Sequence, residues 1–468
     1  MALSKGARMN DAQIFEGVSV SGVTKSRSVL SREKNRALAE IPHVTGITLS
    51  NGKEIRANTV VNCAGMWARQ FGEQCGVNIP NQAAEHYYLI TDSMPEVDPS
   101  WPVIEDSSKA VYIRPEGGGL MLGLFEWTGA PWGVGAVPND FSFGEIEPDW
   151  DRMAPYLEDA MKRVPSTVHV GAKKFFCGPE SFTPDNSPII GEAPELRNYF
   201  VAAGLNSIGI LTGGGIGKVL AEWIEGRGQT PNNADVTCIN IDRFHKYQGN
   251  IGYRSDRVGE ALGNTYRIHY PDHSPKTCRG VKKSALHERL KGRNAFFRDV
   301  SGWESPAWYA HKGSPVVEKE SFGRESWFPN WEAEHRACRE NVALFDMSFM
   351  SKFLVKGNDA GSFLNRLSTA NVNGEDGVIA YTQWLNEHGY MEADLTVTKI
   401  DETTFLVVTT DTMHNHVFTH MRRRLSSSDH VFLSDVTGAY TQINLQGPSS
   451  KDLLQMLTSQ NLKQFPFR

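Results

Sequence analysis

The chain has 468 residues, which is length for two or three domains. Forty per cent of them are hydrophobic and 10% aromatic, which excludes a disordered chain, and a net charge of −6 argues against a nucleic-acid surface. The six cysteines (Cys63, Cys75, Cys177, Cys238, Cys278, Cys338) are scattered without a CxxC pair, so neither a disulfide framework nor a cysteine zinc site is expected, and a reducing compartment is.

At the N-terminus, MALSKGARMNDAQ carries Lys5 and Arg8 without an apolar run and reads as neither signal nor transit peptide. QIFEGVSVSGV (13–23) reads as a strand by its β-branched content. HVTGITLSNG (43–52) reads as strand and turn, and EIRANTVVNCAG (54–65) as one further strand ending at Gly65. EHYYLITD (85–92), AVYIRPEGG (110–118) and LMLGLFE (120–126) are sheet-like. In WDRMAPYLEDAMKRVP (150–165), Trp150, Met153, Tyr156, Leu157, Met161 and Val164 recur at helical spacing, and Pro165 marks the stop. NYFVAAG (198–204) is a strand, and GGGIGKVLAEWIEG (213–226) turns into a helix. The longest apolar candidate, YFVAAGLNSIGIL, is broken by Asn206 and Ser207 and is too short for a membrane span.

GRGQTPNNADV (226–236) has linker composition. Residues 240–310 show few clear periods, and a second boundary is expected near HKGSPVVEKESFGRE (311–325). Beyond it, WEAEHRACRENVALFDMS reads as helix then strand, and SKFLVKG, YTQWLNEHG, ADLTVTKI and TTFLVVTT as short strands, so the last part is α+β.

Five features can carry chemistry. GLNSIGILTGGGIGK (204–218) is glycine-dense and runs into a helix, as phosphate-binding loops do. It fails the GxxxxGK[ST] pattern, because Thr212 and Val219 stand where glycine and a hydroxyl are needed, and it fails GxGxxG too. Close helix-to-sheet packing is the alternative. VVNCAGMWA (60–68) ends a strand where a cofactor can approach the backbone, or is a plain strand-end turn. CGPESFTPDNSPIIGEAPEL (177–196) reads as a structured loop; Asp185 in it is a ligand or an Asx-turn former. His86 can move a proton near neutral pH and Arg114 can clamp a carboxylate, with Tyr112 close by in sequence; a structural histidine is the alternative. In GYMEADLTV (389–397), Glu392 and Asp394 share one strand face, as proton acceptors or as a solvated pair.

Taken in order, VVNCAGMWA, EHYYLIT, VYIRPEGGGLMLGLFE, CGPESFTPDNSPIIGEAPELRNYF, GLNSIGILTGGGIGKVLAEWI, FDMSFMSKFLVKG, YTQWLNEHGYMEADLTV and INLQGPSS resemble the sarcosine and dimethylglycine dehydrogenase family over essentially the whole chain. CGPESFTPD and FDMSFMSKF are nearer the sarcosine enzyme. The resemblance implies a fold of α/β and α+β parts: an FAD-binding amine-oxidase domain of the D-amino-acid oxidase type, a central domain, and an aminomethyltransferase-like folate-binding domain, expected at 1–227, 228–283 and 284–468. It implies FAD and tetrahydrofolate as cofactors, sarcosine or dimethylglycine as substrate, an electron-transfer flavoprotein as acceptor, and a mitochondrial location.

By the same resemblance, Gly204, Ser207, Ile208, Gly209 and Ile210 lie along the flavin ring, where backbone N–H groups and a helix N-terminus favour the charge of reduced flavin. Ala64, Gly65 and Trp67 match flavin contacts, and Val20 a contact to the adenine. His86 and Tyr112 match positions near the substrate amine, and Asp394 the acid of the folate domain, whose neighbouring family acid is Ala393 here. The expected chemistry is hydride transfer from an N-methyl carbon to flavin, with the iminium captured by tetrahydrofolate. The GxGxxG segment and the family's flavin-carrying histidine have no match before Val20, and FPFR ends inside the folate domain, so a fragment or short isoform without tight FAD binding is expected. Two other readings stay open: a non-catalytic relative of the pyruvate dehydrogenase phosphatase regulatory subunit, and a folate-binding module alone.

Overall fold

A computed structural model describes residues 2–26, 41–226 and 234–464. The expected boundary at 227/228 and most of the 226–236 linker lie outside the described residues.

The chain opens with α1 (Ala2–Met9), none of it buried. A three-stranded antiparallel sheet follows: β1 (Val20–Lys25), β2 (Val44–Leu49) and β3 (Glu54–Arg56). β4 (Val60–Asn62) runs into a 3-10 turn at Gly65–Trp67 and α2 (Ala68–Gln74).

The largest N-terminal layer is antiparallel. Its strands are β5 (Gln82–Thr91), β6 (Ile104–Asp106), β7 (Val111–Glu116), β8 (Gly119–Leu124) and, after α3 (Trp150–Arg163), β9 (Ala172–Phe182). They lie in the order β6-β7-β8-β5-β9. β8 is buried at every residue, which is why its sequence is a continuous apolar run. α3 begins where the Asp149 carboxylate accepts from the Arg152 N–H (2.9 Å), and Lys162 and Arg163 complement its C-terminal end. Its Met153, Leu157 and Ala160 pack on Tyr87, Leu89, Val111, Ile113, Leu122 and Leu124, so one face of the sheet is dry.

β10 (Ile189–Glu192) and β11 (Tyr199–Ala203) return beside β4; β11 is antiparallel to β10 and parallel to β4. α4 (Gly209–Glu225) follows. α5 (Ile251–Asn264), α6 (His287–Lys291), the hairpin of β12 (Ala295–Val300) and β13 (Trp303–Tyr309), and α7 (Phe328–Glu340) lead into the C-terminal unit.

That unit comprises β14 (Ala343–Asp346), β15 (Ser351–Lys356), α8 (Ala360–Leu367), β16 (Ile379–Leu385), β17 (Met391–Asp401), β18 (Thr404–Thr409), α9 (His414–Arg424), β19 (Phe432–Asp435), β20 (Ile443–Gln446) and α10 (Ser450–Gln455). Five strands form a second antiparallel sheet, β16-β17-β18-β15-β19, and β14 pairs with β20. Phe353, Val355, Trp384, Leu395, Val397, Phe405 and Val407 of this sheet bury against Phe363 and Leu364 of α8 and Val417 and Met421 of α9. No helix among the described residues is long and apolar enough to cross a membrane.

Four sequence expectations are corrected. The strand expected at 13–23 begins only at Val20, because Gln13–Ser19 is exposed and joins the sheet only at its end, where the Ser19 carbonyl accepts from the Ser50 N–H (2.9 Å). EIRANTVVNCAG is two strands belonging to different sheets, β3 and β4. The stretch 177–196 is not one loop: Cys177–Phe182 finishes β9 and Ile189–Glu192 is β10, since pairing with β5 and β11 overrides the prolines. The glycines of 213–217 do not precede a helix but lie inside α4, which begins at Gly209. The region 240–310, without clear period in sequence, holds α5 and the β12–β13 hairpin.

Candidate active site

The face of the β6–β9 sheet away from α3 carries a different residue set. Side chains alternate along β5, so His86 and Tyr88 point opposite to Tyr87 and Leu89. Register then assembles the rest. Tyr88 opposes Gly123 on β8, Gly123 opposes Tyr112 on β7, and Arg114 opposes Met121. On β9, Gly178 opposes His86, and Glu180 opposes Ala84 two residues further along the same face. Gly123 is required: a Cβ there would sit 1.9 Å from the Tyr112 ring, so the missing side chain is what lets that ring lie across β8.

Of these, His86, Tyr88, Tyr112, Arg114, Met121, Gly178 and Glu180 line a cavity of ≈ 500 Å³ together with Trp67, Phe176 and Ser207. Its walls are aromatic; Tyr88 and Phe176 stack with centroids 4.6 Å apart. Its polar atoms are only partly satisfied. His86 is 7% exposed, packs on Phe125 (4.6 Å), and its buried Nδ1 has no partner. Burial pushes the His86 pKa down, with the Glu180 carboxylate opposing, so the ring is held neutral. One buried oxygen of Glu180, Oε2, is also without a partner. The Tyr112 phenol is pushed up by burial, and Arg114 is paired with Glu116 at 2.6 Å. Unpartnered buried polar atoms are costly, and two of them facing one cavity are the mark of a ligand site.

The opposite edge is built from two turns. After β4, the Ala64 N–H donates to Asn62 Oδ1 (3.1 Å), Asn81 Nδ2 donates to the Gly65 carbonyl (3.2 Å), and Trp67 Nε1 donates to the Pro138 carbonyl (2.9 Å). Gly65 has φ +55° with open space where a side chain would stand. After β11, Asn206 and Ser207 are both left-handed, at φ +49° and +68°. Asn206 is held there by bonds from the Thr183 N–H (2.9 Å) and to the Gly204 carbonyl (2.9 Å). Two consecutive non-glycine residues in this region store strain. α4 then starts at Gly209 without a side-chain cap, leaving its first N–H groups free; Ile210 and Leu211 are fully exposed and a Cβ at Gly213, Gly214, Gly215 or Gly217 would meet nothing.

Of the residues expected from sequence, His86, Tyr112, Arg114, Trp67 and Ser207 line this one cavity. Ala64 and Gly65 lie in the turn that carries Trp67, and Gly204, Ile208, Gly209 and Ile210 in the turn and helix start around Ser207. Val20 lies in the separate β1–β3 sheet and does not line the cavity. Asp394 is exposed in the C-terminal sheet, accepting from Gln383 Nε2 (3.2 Å). Sequence reasoning missed Glu180, hidden in a stretch read as loop; its signal is an acid two residues from Gly178 in the strand that follows the apolar Phe175-Phe176-Cys177. It also missed Tyr88 and Phe176.

Three family models match in succession: FAD dependent oxidoreductase over residues 1–223, FAD dependent oxidoreductase central domain over 231–284, and GCVT N-terminal domain over 286–468. The chain combines domains of the FAD-dependent oxidoreductase and GCVT families. Among similar proteins, 4-methylaminobutanoate oxidase (formaldehyde-forming) of Paenarthrobacter nicotinovorans is 34% identical, over 98% of this chain and 54% of that protein. Mitochondrial sarcosine dehydrogenase of Homo sapiens is 31% identical, over 99% and 53%. The mitochondrial pyruvate dehydrogenase phosphatase regulatory subunit of Mus musculus is 30% identical, over 98% and 51%. The chain spans about half the length of the curated relatives it matches. It is homologous to the sarcosine and dimethylglycine dehydrogenase family, and the bacterial oxidase is more similar to it than the human sarcosine enzyme is.

The cavity edge fits a flavin. A flat ring needs backbone approach without side chains, free N–H donors and open space, and Gly65, the uncapped start of α4 and the bare glycine face supply these.

Proposed function

We propose that this chain belongs to an enzyme that oxidises an N-methylated amino acid at the ≈ 500 Å³ cavity. The observation that carries the reading is the pair of unpartnered buried atoms, His86 Nδ1 and Glu180 Oε2, on one aromatic-walled face. Ala64, Gly65, Trp67 and the Gly204–Ile210 turn would hold FAD, which would supply a two-electron acceptor for the hydride of the N-methyl carbon.

The chain's own residues do the rest. A neutral His86 takes the proton of the substrate ammonium at Nδ1, because only the free amine has the lone pair that assists hydride loss. Glu180 then faces the new imidazolium and stabilises it. Tyr88, Phe176 and Trp67 enclose the methylated nitrogen and exclude water, which would hydrolyse the iminium product. Arg114 reaches the substrate carboxylate once Glu116 yields it. Sarcosine is the substrate favoured by the motif resemblance; dimethylglycine and 4-methylaminobutanoate are the competitors, and similarity to the bacterial oxidase favours the last. Tetrahydrofolate at the C-terminal domain, with Asp394 as its acid, receives the one-carbon unit. A mitochondrial location follows the sarcosine, dimethylglycine and phosphatase-subunit relatives, whereas the 4-methylaminobutanoate oxidase is bacterial.

The test is the visible spectrum of the purified chain after incubation with FAD and removal of free ligand. A retained flavin band bleached by one of the three amines supports the reading and ranks them; a retained band that none bleaches sinks it. The second reading, a non-catalytic regulatory protein, rests on the similarity to the phosphatase regulatory subunit. Under it, His86→Gln changes no measurable property of the bound state.

A further inference from the structure

A second polar cluster lies outside this cavity, where α9 meets the segment before α5 and the β16–β17 turn. α9 carries His416 and His420 four residues apart, hence on one helix face. The β16–β17 turn is fixed by Asn386, whose Oδ1 accepts from the His388 and Tyr390 N–H groups, and by Gly389 at φ +83°. It delivers Glu392, near the start of β17, against α9. His416 Nδ1 lies 2.7 Å from Asp242 Oδ2, and its Nε2 lies 2.8 Å from Glu392 Oε2. His420 is 5% exposed and stacked on Trp384, and its Nε2 is buried without a partner. One ligand atom from each of Glu392, His416 and His420 lies within 4.8 Å of the other two.

We propose that Glu392, His416 and His420 form a site for a divalent transition-metal ion of the zinc class, with Asp242 orienting His416 from behind. Two imidazoles and one carboxylate are a donor set such ions prefer, and a carboxylate on the far nitrogen of a ligating histidine is the usual support. Ligand atoms around one zinc stand about 3.3 Å apart at bond lengths near 2.0 Å, so side-chain adjustments of about 1 Å close the site. Three protein ligands leave one position open, and His416 and Glu392 also line an adjoining cavity of ≈ 410 Å³. The cations around the cluster are already neutralised: Arg243 by Asp185 (2.7 Å), Arg423 by Glu192 (2.7 Å) and Arg424 by Glu387 (3.3 Å). The Glu392 carboxylate therefore faces the ion, and Asp242 backs His416 on its other ring nitrogen, without a free cation among these arginines opposing them. The metal ties the segment around Asp242 to the C-terminal unit, and cysteine spacing gave no sign of it because no cysteine takes part.

The experiment uses the full chain, stripped with chelator and titrated with Zn²⁺ alone against a chromophoric competitor. Cys63→Ser and Cys238→Ser are introduced throughout, because these two cysteines are exposed and thiolates are zinc ligands in their own right. The site binds one Zn²⁺ per chain; His420→Gln and Glu392→Gln each weaken it at least about 100-fold, and Asp242→Asn about 10-fold. A zinc-dependent rise in Tm present in the parent and absent in Glu392→Gln is the second readout, so a variant that folds poorly does not decide the matter alone. No saturable binding up to about 100 μM, or binding unchanged by both ligand variants, overturns the proposal: the cluster is then an ion triad whose centre is a proton on His416.

Discussion

The two five-stranded antiparallel sheets differ in how they treat their polar groups. In the C-terminal sheet the polar residues among the core strands are satisfied. Lys352 Nζ donates to the Ser348 (3.1 Å) and Met350 (2.6 Å) carbonyls, Trp384 Nε1 donates to Ser368 Oγ (2.9 Å), and Thr409 Oγ1 donates to the Asp394 carbonyl (3.2 Å). In the N-terminal sheet the α3 face is equally dry, yet the other face leaves His86 Nδ1 and Glu180 Oε2 desolvated and unpaired. A buried polar group without a partner is tolerated only where something else repays it, and a bound amine does so. The difference separates strands whose buried polar groups are satisfied within the sheet from strands that leave theirs for a ligand.

Four experiments break or sharpen this comparison. The largest effect belongs to the C-terminal core. Phe353 is fully buried there, and Phe353→Ala costs about 3–5 kcal/mol by denaturant unfolding. Tyr88→Ala on the half-buried cavity face costs less than half as much; equal losses would make the two sheets alike. Next, His86→Leu lowers turnover with N-methyl amino acids by at least about 100-fold while leaving the unfolding midpoint unchanged or higher, because it removes an unsatisfied buried nitrogen. A loss of stability matching the loss of turnover would assign His86 a structural role instead.

The third concerns the seam between the halves, where the His245 and His414 rings pack at a tilt with centroids 5.1 Å apart. Burial, with Lys282 and His414 adding to it, pushes the His245 pKa down to about 3. Between about 3 and 6.5 the unfolded chain binds the extra proton, so stability falls as pH drops through that window, by up to about 1.4 kcal/mol per unit, and is insensitive to this group above it. His245→Gln flattens the slope in pH-dependent thermal melts. The smallest stability effect is that of Asp394→Ala, about 1 kcal/mol or less, since it loses one exposed hydrogen bond. It nevertheless lowers formation of the folate-bound product if Asp394 is the acid of the C-terminal site.

Much was legible before any coordinates. The continuous apolar run of β8, the helical spacing of Met153 and Leu157, the helix-then-strand of α7 and β14, and the ordered motifs all report local periodicity or family pattern, which a chain carries in its residue order. By resemblance, sequence assigned His86 and Tyr112 to the substrate amine and Trp67 and Ser207 to the flavin, and all four line one cavity. Tertiary structure alone decided three things. It moved the start of α4 ahead of its glycines. It turned the start of a proline-rich stretch into the end of β9 and so brought Glu180 near His86. It also set Asp242 against His416, 174 positions away. The reason is common to all three. Pairing register and desolvation are properties of which distant strands meet, and no window of sequence contains them.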